Sequence, residues 1–285
     1  MSLQPGAQFA GYIVRAPLGR GGSSDVYLVD DPARSGRAVL KILDHPATDL
    51  SSARKQFRYE FDIAGTLRHP NVVEMLEYGE FQDQPWMTYT YREGEPGSGL
   101  LPRRHEEIDL ARMLPALAGI AAGLDYIHQH NVVHLDVKPH NMLIGPQGTE
   151  AVLTDFGIAH RLSDSSPLAG PDGLVPVSLP YAAPEVLRGK PVSPATDQYS
   201  LACAMVEFFT GRPPFPLPTQ FAIADAHLWG IPPDVSWRRR WIPHAVDSIL
   251  NKALAKDPNA RYDSCAEPIR LITRVLRDVE PPKHH

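Results

Sequence analysis

Five residues within one short stretch limit what this chain can become: His134, Asp136, Lys138, Pro139 and Asn141, in the order His-Leu-Asp-Val-Lys-Pro-His-Asn. At equal residue frequencies such a set arises in about one of three million windows, so the pattern is specific. A turn rich in polar groups is the ordinary alternative. Fourteen residues after Asn141 comes Asp155-Phe156-Gly157, behind the apolar run Ala151-Val152-Leu153. Asp-x-Gly alone is a common turn; its order and spacing behind the first stretch give it weight.

The hydrophobic period changes along the chain. The first ~90 residues read as strand-rich, with short β-like runs at 12–14, 26–29, 38–42, 72–76 and 86–91. One helix interrupts them from about Ser52 to Leu67, with Ser and Asp capping candidates before it and His69-Pro70 after it. The Gly/Pro-rich stretch Glu93 to Gly99 is the candidate junction. Beyond it, 108–130, 193–210, 243–256 and 264–278 carry helix-period apolar residues, and 131–190 reads as loop-rich with short strands. The length of 285 residues accommodates two modest lobes, and 43% hydrophobic residues argue against disorder.

Net charge is −5, which argues against nucleic acid as a partner. The longest apolar runs, Met113 to Leu124 and Tyr199 to Phe209, are too short to span a bilayer and read as buried helices. No signal peptide precedes Phe9. Cys203 and Cys265 read as two free thiols in a reducing cytosol. Together these readings point to a cytoplasmic domain, alone or as part of a larger protein.

Taken in order, the motifs resemble those of the protein kinase family, most closely bacterial Ser/Thr kinases of the eukaryotic-like (Hanks) type. The resemblance covers roughly Phe9 to Val275. It implies an α+β bilobal fold: a small lobe (9–91) with an antiparallel sheet and one helix, and a larger helical lobe (92–275), with ATP between them. Residues 1–8 and 276–285 flank the domain. In the family, the 134–141 stretch is the catalytic loop. Asp136 would accept the proton of the attacking hydroxyl, Lys138 would neutralise charge on the moving phosphoryl group, and Asn141 would hold a metal. Asp155 would bridge Mg²⁺ to the phosphates, with Mn²⁺ as a possible substitute.

The nucleotide positions follow by the same resemblance. Leu18 to Val26 looks like the loop that covers phosphates, where Gly19 and Gly21 admit backbone N–H groups without a Cβ clash. Read alone, a hairpin turn is at least as good an account of it. Ser24 replaces the family's third glycine. Val26, Val39 and Leu143 would enclose adenine. Lys41 would meet the α- and β-phosphates and pair with Glu60, which helix spacing puts on the apolar face with Phe57 and Ile63. Asp62 points the other way. Tyr89 falls at the position guarding the pocket behind adenine, with Thr90, Tyr91 and Arg92 as the hinge.

Ala183-Pro184-Glu185 resembles the end of the activation segment, with Glu185 pairing with Arg261. Asp197 matches the buried carboxylate that braces the catalytic loop. Ser178 stands for the segment's usual Thr and keeps its hydroxyl. Lys138 favours Ser/Thr over Tyr in protein substrates.

Leu135 departs from the family, where many members have an Arg that meets a phosphate on the activation loop. Between Gly157 and Ala183 the hydroxyls are Ser163, Ser165, Ser166, Ser178 and Tyr181. The expectation is an enzyme whose activity does not depend on loop phosphorylation. Two other classes compete. A binding-only pseudokinase draws on Leu135 and Ser24, although the groups required for chemistry are all present. A small-molecule kinase of similar fold would generally lack a complete Ala-Pro-Glu segment. Arg238-Arg239-Arg240, between Trp237 and Trp241, reads first as a solvated basic turn and second as a dock for acidic substrate segments.

Overall fold

The structure, a computed structural model, describes residues 3–20, 24–43, 50–103, 108–164 and 175–279. The chain divides into two compact units, Met1–His69 with Val73–Glu93, and Pro70–Val72 with Gly94–His285.

In the first unit, β1 (Gln8–Phe9), β2 (Tyr12–Arg20), β3 (Ser24–Asp31), β4 (Gly36–Leu43), β5 (Met75–Phe81) and β6 (Gln84–Thr90) form one antiparallel sheet in the order β1-β2-β3-β4-β6-β5. Period-two alternation divides its residues between two faces. Tyr27 and Val29 of β3 and Ala38, Leu40 and Ile42 of β4 join Phe9, Tyr12, Val14 and Trp86 in a hydrophobic core. The opposite face carries Val26, Val39 and Lys41. The helix α1 (Leu50–Ala64) turns Phe57, Glu60, Ile63 and Ala64 inward, all buried.

The expected strand at 72–76 does not form as such; β5 begins at Met75. Val72 instead bridges Leu153 in the second unit, where Leu153 N–H donates to the Asn71 carbonyl (2.8 Å) and Asn71 Nδ2 donates to the Ala151 carbonyl (2.7 Å). The apolar run is divided because its backbone partners lie about eighty residues away in sequence.

The second unit contains β7 (Glu95–Pro96), α2 (Leu110–Gln129), β8 (Val132–Val133), β9 (Met142–Ile144), β10 (Ala151–Leu153) and β11 (His160–Arg161). The helices α3 (Pro184–Leu187), α4 (Pro194–Thr210), α5 (Gln220–Trp229), α6 (Val235–Arg238), α7 (His244–Ala253) and α8 (Ala266–Leu276) follow. Strands β10-β9-β7 form one small sheet and β11-β8 another. The helix α4 is buried from Thr196 to Phe209; a capping box of Ser193 and Thr196 starts it and Gly211, at φ 75°, ends it.

By length and composition alone, α2 could cross a membrane, a test that a core helix also passes. Here it is a core helix: Met113, Leu117, Ile120, Leu124 and Ile127 are buried, and it packs on β10, α4 and α8. Gly123 allows the 70–72 segment to cross it, since a Cβ there would lie 2.7 Å from the Asn71 carbonyl oxygen. Among the described residues both cysteines are buried and unpaired.

Candidate active site

In the first unit, Lys41 stands mid-strand in β4. The register sets Val26 and Met87 opposite it, and Leu28 and Tyr89 opposite Val39, all on the face away from the hydrophobic core. Lys41 Nζ donates to both carboxylate oxygens of Glu60, at 2.7 and 2.9 Å. Both side chains are largely shielded, so this pair is held more firmly than a surface ion pair. Asp62 pairs instead with Arg58 on the outer face of α1 (2.9 Å).

Leu18 is half exposed and Gly19 lies opposite Val26. Ser24 is buried at the start of β3, opposite Leu43. Gly21 lies outside the described residues. Tyr89 is half-buried near the end of β6. Thr90 closes that strand with its N–H donated to the Glu74 carbonyl (2.9 Å). The Arg37 guanidinium stacks 4.5 Å from the Tyr91 ring centroid.

In the second unit, the loop from His134 to Asn141 is fixed from below by Asp197 of α4. One carboxylate oxygen accepts from His134 N–H and the other from Leu135 N–H, both at 2.8 Å. The first oxygen also meets His128 Nε2 at 2.8 Å. Burial drives the Asp197 pKa upward, but the hydrogen bond and charge of His128, joined by His134, outweigh it and hold the carboxyl below its ordinary range.

Leu135 adopts φ +66°, a left-handed conformation that costs a non-glycine residue roughly 1–2 kcal/mol. Its side chain is only 5% exposed, so it looks into the fold and not toward solvent. The Asp136 N–H donates to His134 Nδ1 (3.3 Å), which leaves Nε2–H to donate to the Thr154 carbonyl (3.1 Å). The His134 ring meets Phe156 edge-on, with centroids 4.9 Å apart. These contacts tie the loop to the Asp155-Phe156-Gly157 turn, where Asp155 is also left-handed at φ +62°.

Asp136 Oδ2 accepts from Lys138 Nζ (2.7 Å) and Asn141 Nδ2 (2.8 Å). Asp136 Oδ1 is buried and has no hydrogen-bond partner among the described residues. Lys138 Nζ also donates to Ser178 Oγ (2.7 Å), bringing the segment before α3 onto the loop. Asn141 spends its amide N–H groups on the Asp136 carbonyl (2.9 Å) and carboxylate, which leaves Oδ1 as its remaining acceptor. Leu143 lies between buried Met142 and Ile144 in β9 and faces the other way, half exposed.

The Glu185 carboxylate meets the Arg261 guanidinium in a buried two-pronged pair, both contacts at 2.8 Å. Ser163 is described, whereas Ser165 and Ser166 lie outside the described residues. The sequence reading missed His128, whose signal was an imidazole near the end of an apolar helix. It also missed Glu207, an acid within the apolar run of α4. Glu207 accepts a 2.5 Å hydrogen bond from the Tyr181 hydroxyl, and burial raises its pKa.

Comparison with known proteins agrees with this geometry. A family model described as "Protein kinase domain" matches residues 12–269. The chain is 37% identical over 270 residues to the serine/threonine-protein kinase PknJ of Mycobacterium tuberculosis, covering 93% of this chain and 45% of that protein. It is 34% identical to PknF of the same organism, covering 99% of this chain and 60% of that protein. The crystal structure of the M. tuberculosis PknI kinase domain superposes with a TM-score of 0.72 at 30% identity, covering 96% of this chain and all of that one (100%). The chain thus spans 45–60% of the length of these two curated relatives.

Proposed function

The chain belongs to the protein kinase domain family, and from that footing we propose that it transfers the γ-phosphoryl group of ATP to serine and threonine hydroxyls of other proteins. One observation carries the reading: Asp136 Oδ1, a buried carboxylate oxygen without a donor among the described residues, beside a lysine and a serine hydroxyl. An unmet acceptor of this kind costs about 1–3 kcal/mol, and an incoming hydroxyl would satisfy it. Asp136 would take that proton as the oxygen attacks phosphorus. Lys138, already on Ser178, would balance charge on the phosphoryl oxygens. Lys41, steadied by Glu60, would meet the α- and β-phosphates, while Val26, Val39 and Leu143 would bury adenine. Leu18, Gly19, Gly21 and Ser24 would cover the phosphates, and Tyr89, Thr90 and Tyr91 would border the base.

Asn141 Oδ1 and the Asp155 carboxylate are hard oxygen donors suited to Mg²⁺, with Mn²⁺ able to substitute. The bound ion would offset phosphate charge. The domain would work in the cytoplasm, where ATP is available and Cys203 and Cys265 stay reduced. A protein substrate fits better than a small molecule, because the Glu185–Arg261 pair anchors a complete Ala-Pro-Glu segment of the kind that receives polypeptide.

Activity would not require loop phosphorylation, since Leu135 offers a buried aliphatic chain where a phosphate would need a cation. Transfer of labelled γ-phosphate from Mg-ATP to a protein acceptor tests both levels. Asp136→Asn should lower kcat by at least about a hundredfold, and equal incorporation would remove the enzyme claim. Ser163→Ala/Ser165→Ala/Ser166→Ala should leave kcat near wild type, and a large drop would remove the claim about phosphorylation alone.

A further inference from the structure

The basic triplet at 238–240 does not act as a unit. Arg239 turns inward and donates Nε–H to the Phe209 carbonyl (3.2 Å). Arg238 and Arg240 stay exposed and form no ion pair among the described residues. Between α6 and α7 lies a groove of about 460 Å³, lined by Trp237, Arg240, Trp241, Pro243 and His244, with Ser236 at its base. Trp237 is 82% exposed, and Phe221, Trp229 and Ile231 just before it are also exposed. Tryptophan and arginine are the side chains most enriched where binding energy concentrates.

The acid hydrogen-bonded to two of the groove's lining residues is already committed. Asp247 is buried and accepts from Ser236 N–H (3.0 Å), the Ser236 hydroxyl (2.5 Å) and His244 Nδ1 (3.3 Å). Asp234, the exposed residue just before α6, forms no ion pair with Arg238 or Arg240 among the described residues. The groove therefore pairs indole surface with Arg240, next in sequence but one to the exposed Arg238, and neither arginine forms an ion pair among the described residues.

We propose that this groove docks an acidic linear segment of a protein partner, with an aliphatic, aromatic or proline side chain against the indoles and carboxylates on Arg238 and Arg240. The proposal does not depend on phosphoryl transfer, and binding is read without turnover. Short fluorescein-labelled peptides with glutamate pairs on each side of a leucine, phenylalanine or proline would be titrated by anisotropy. At least one should bind saturably. Trp237→Ala and Arg240→Glu should each weaken it about tenfold or more, and a lysine-for-glutamate version should not bind. Both altered side chains are exposed, so unchanged melting temperatures would show that the fold is intact. Failure of all three peptides to bind, or equal binding by wild type and variants, overturns the proposal. So does a sedimentation result in which wild type dimerises through Trp237 and binds no peptide.

Discussion

Arg261→Met is expected to be among the most destabilising single substitutions in the second unit. The guanidinium makes four hydrogen bonds: two to Glu185, at 2.8 Å each, one to the Ala195 carbonyl (2.7 Å) and one to the Ala255 carbonyl (2.9 Å). Its side chain is fully buried and that of Glu185 nearly so. Methionine removes all four donors. It strands the carboxylate with a single remaining donor, the Thr196 hydroxyl (2.9 Å). Removing one partner of a buried pair costs about 3–5 kcal/mol, because the other charge stays buried without compensation. For a domain of this size that is a fall in Tm of roughly 6–20 °C.

Glu185→Gln should cost less, about half as much, since Arg261 keeps both carbonyls and Gln still offers one oxygen. Arg261→Met/Glu185→Leu should recover much of the loss, because neither charge is then left alone. Urea unfolding followed by far-UV circular dichroism measures all three. If Arg261→Met costs less than about 1 kcal/mol, or the double variant is as unstable as the sum of Arg261→Met and Glu185→Leu measured alone, the uncompensated-charge argument is wrong.

Three further outcomes follow from other sites. The folded-state pKa of Asp197 lies below its unfolded value, so its contribution to stability is present above the unfolded pKa and disappears as pH falls through the folded one. Asp197→Asn should therefore lose stability at neutral pH and show a shallower decline in acid than wild type, and parallel acid profiles would refute this. His227 is a buried base whose pKa is pushed down to about 4, first by burial and then by the charge of Lys256. The unfolded chain binds the proton between pH 6.5 and 4, so stability should fall by up to about 3 kcal/mol as pH drops through that window. His227→Phe should remove this slope at a fixed cost of about 1 kcal/mol for the lost 3.0 Å hydrogen bond to Tyr199; an unchanged slope would assign the effect elsewhere. Tyr89→Gly should bind an adenine-like inhibitor with a bulky group behind the base at least tenfold more tightly than wild type. Equal affinity would mean that Tyr89 does not guard that pocket.

The fold could be read from sequence wherever local pattern and tertiary demand agree. Helix α1 is an example: the spacing of Phe57, Glu60 and Ile63 already put the acid on the apolar side, and the pair with Lys41 follows. Asn71 and Val72 show where reading by pattern stops. Their apolar surroundings suggest a strand, but their hydrogen bonds go to Ala151 and Leu153, and no short window contains that information. Helix α5 escaped for a different reason. Phe221 and Trp229 point outward, so the helix has no apolar inner stripe for a periodicity argument to find.

The candidate site was legible in the residues proposed to react and much less so in what restrains them. Asp136, Lys138, Asn141 and Asp155 stand out because chemistry restricts residue type and spacing. The left-handed backbone at Leu135 leaves no trace in sequence, since leucine has no preference for it. The compensation is local: two backbone N–H groups donate to a charged acceptor, each such bond worth about 1.5–3 kcal/mol, against a conformational cost of 1–2 kcal/mol. These donors are main-chain groups and their acceptor is a buried carboxylate on α4, so these two bonds draw on no residue of the 158–182 segment. That is the physical basis for proposing independence from loop phosphorylation. An arginine at 135 would offer a phosphate a cation; under the proposal, the buried leucine offers none.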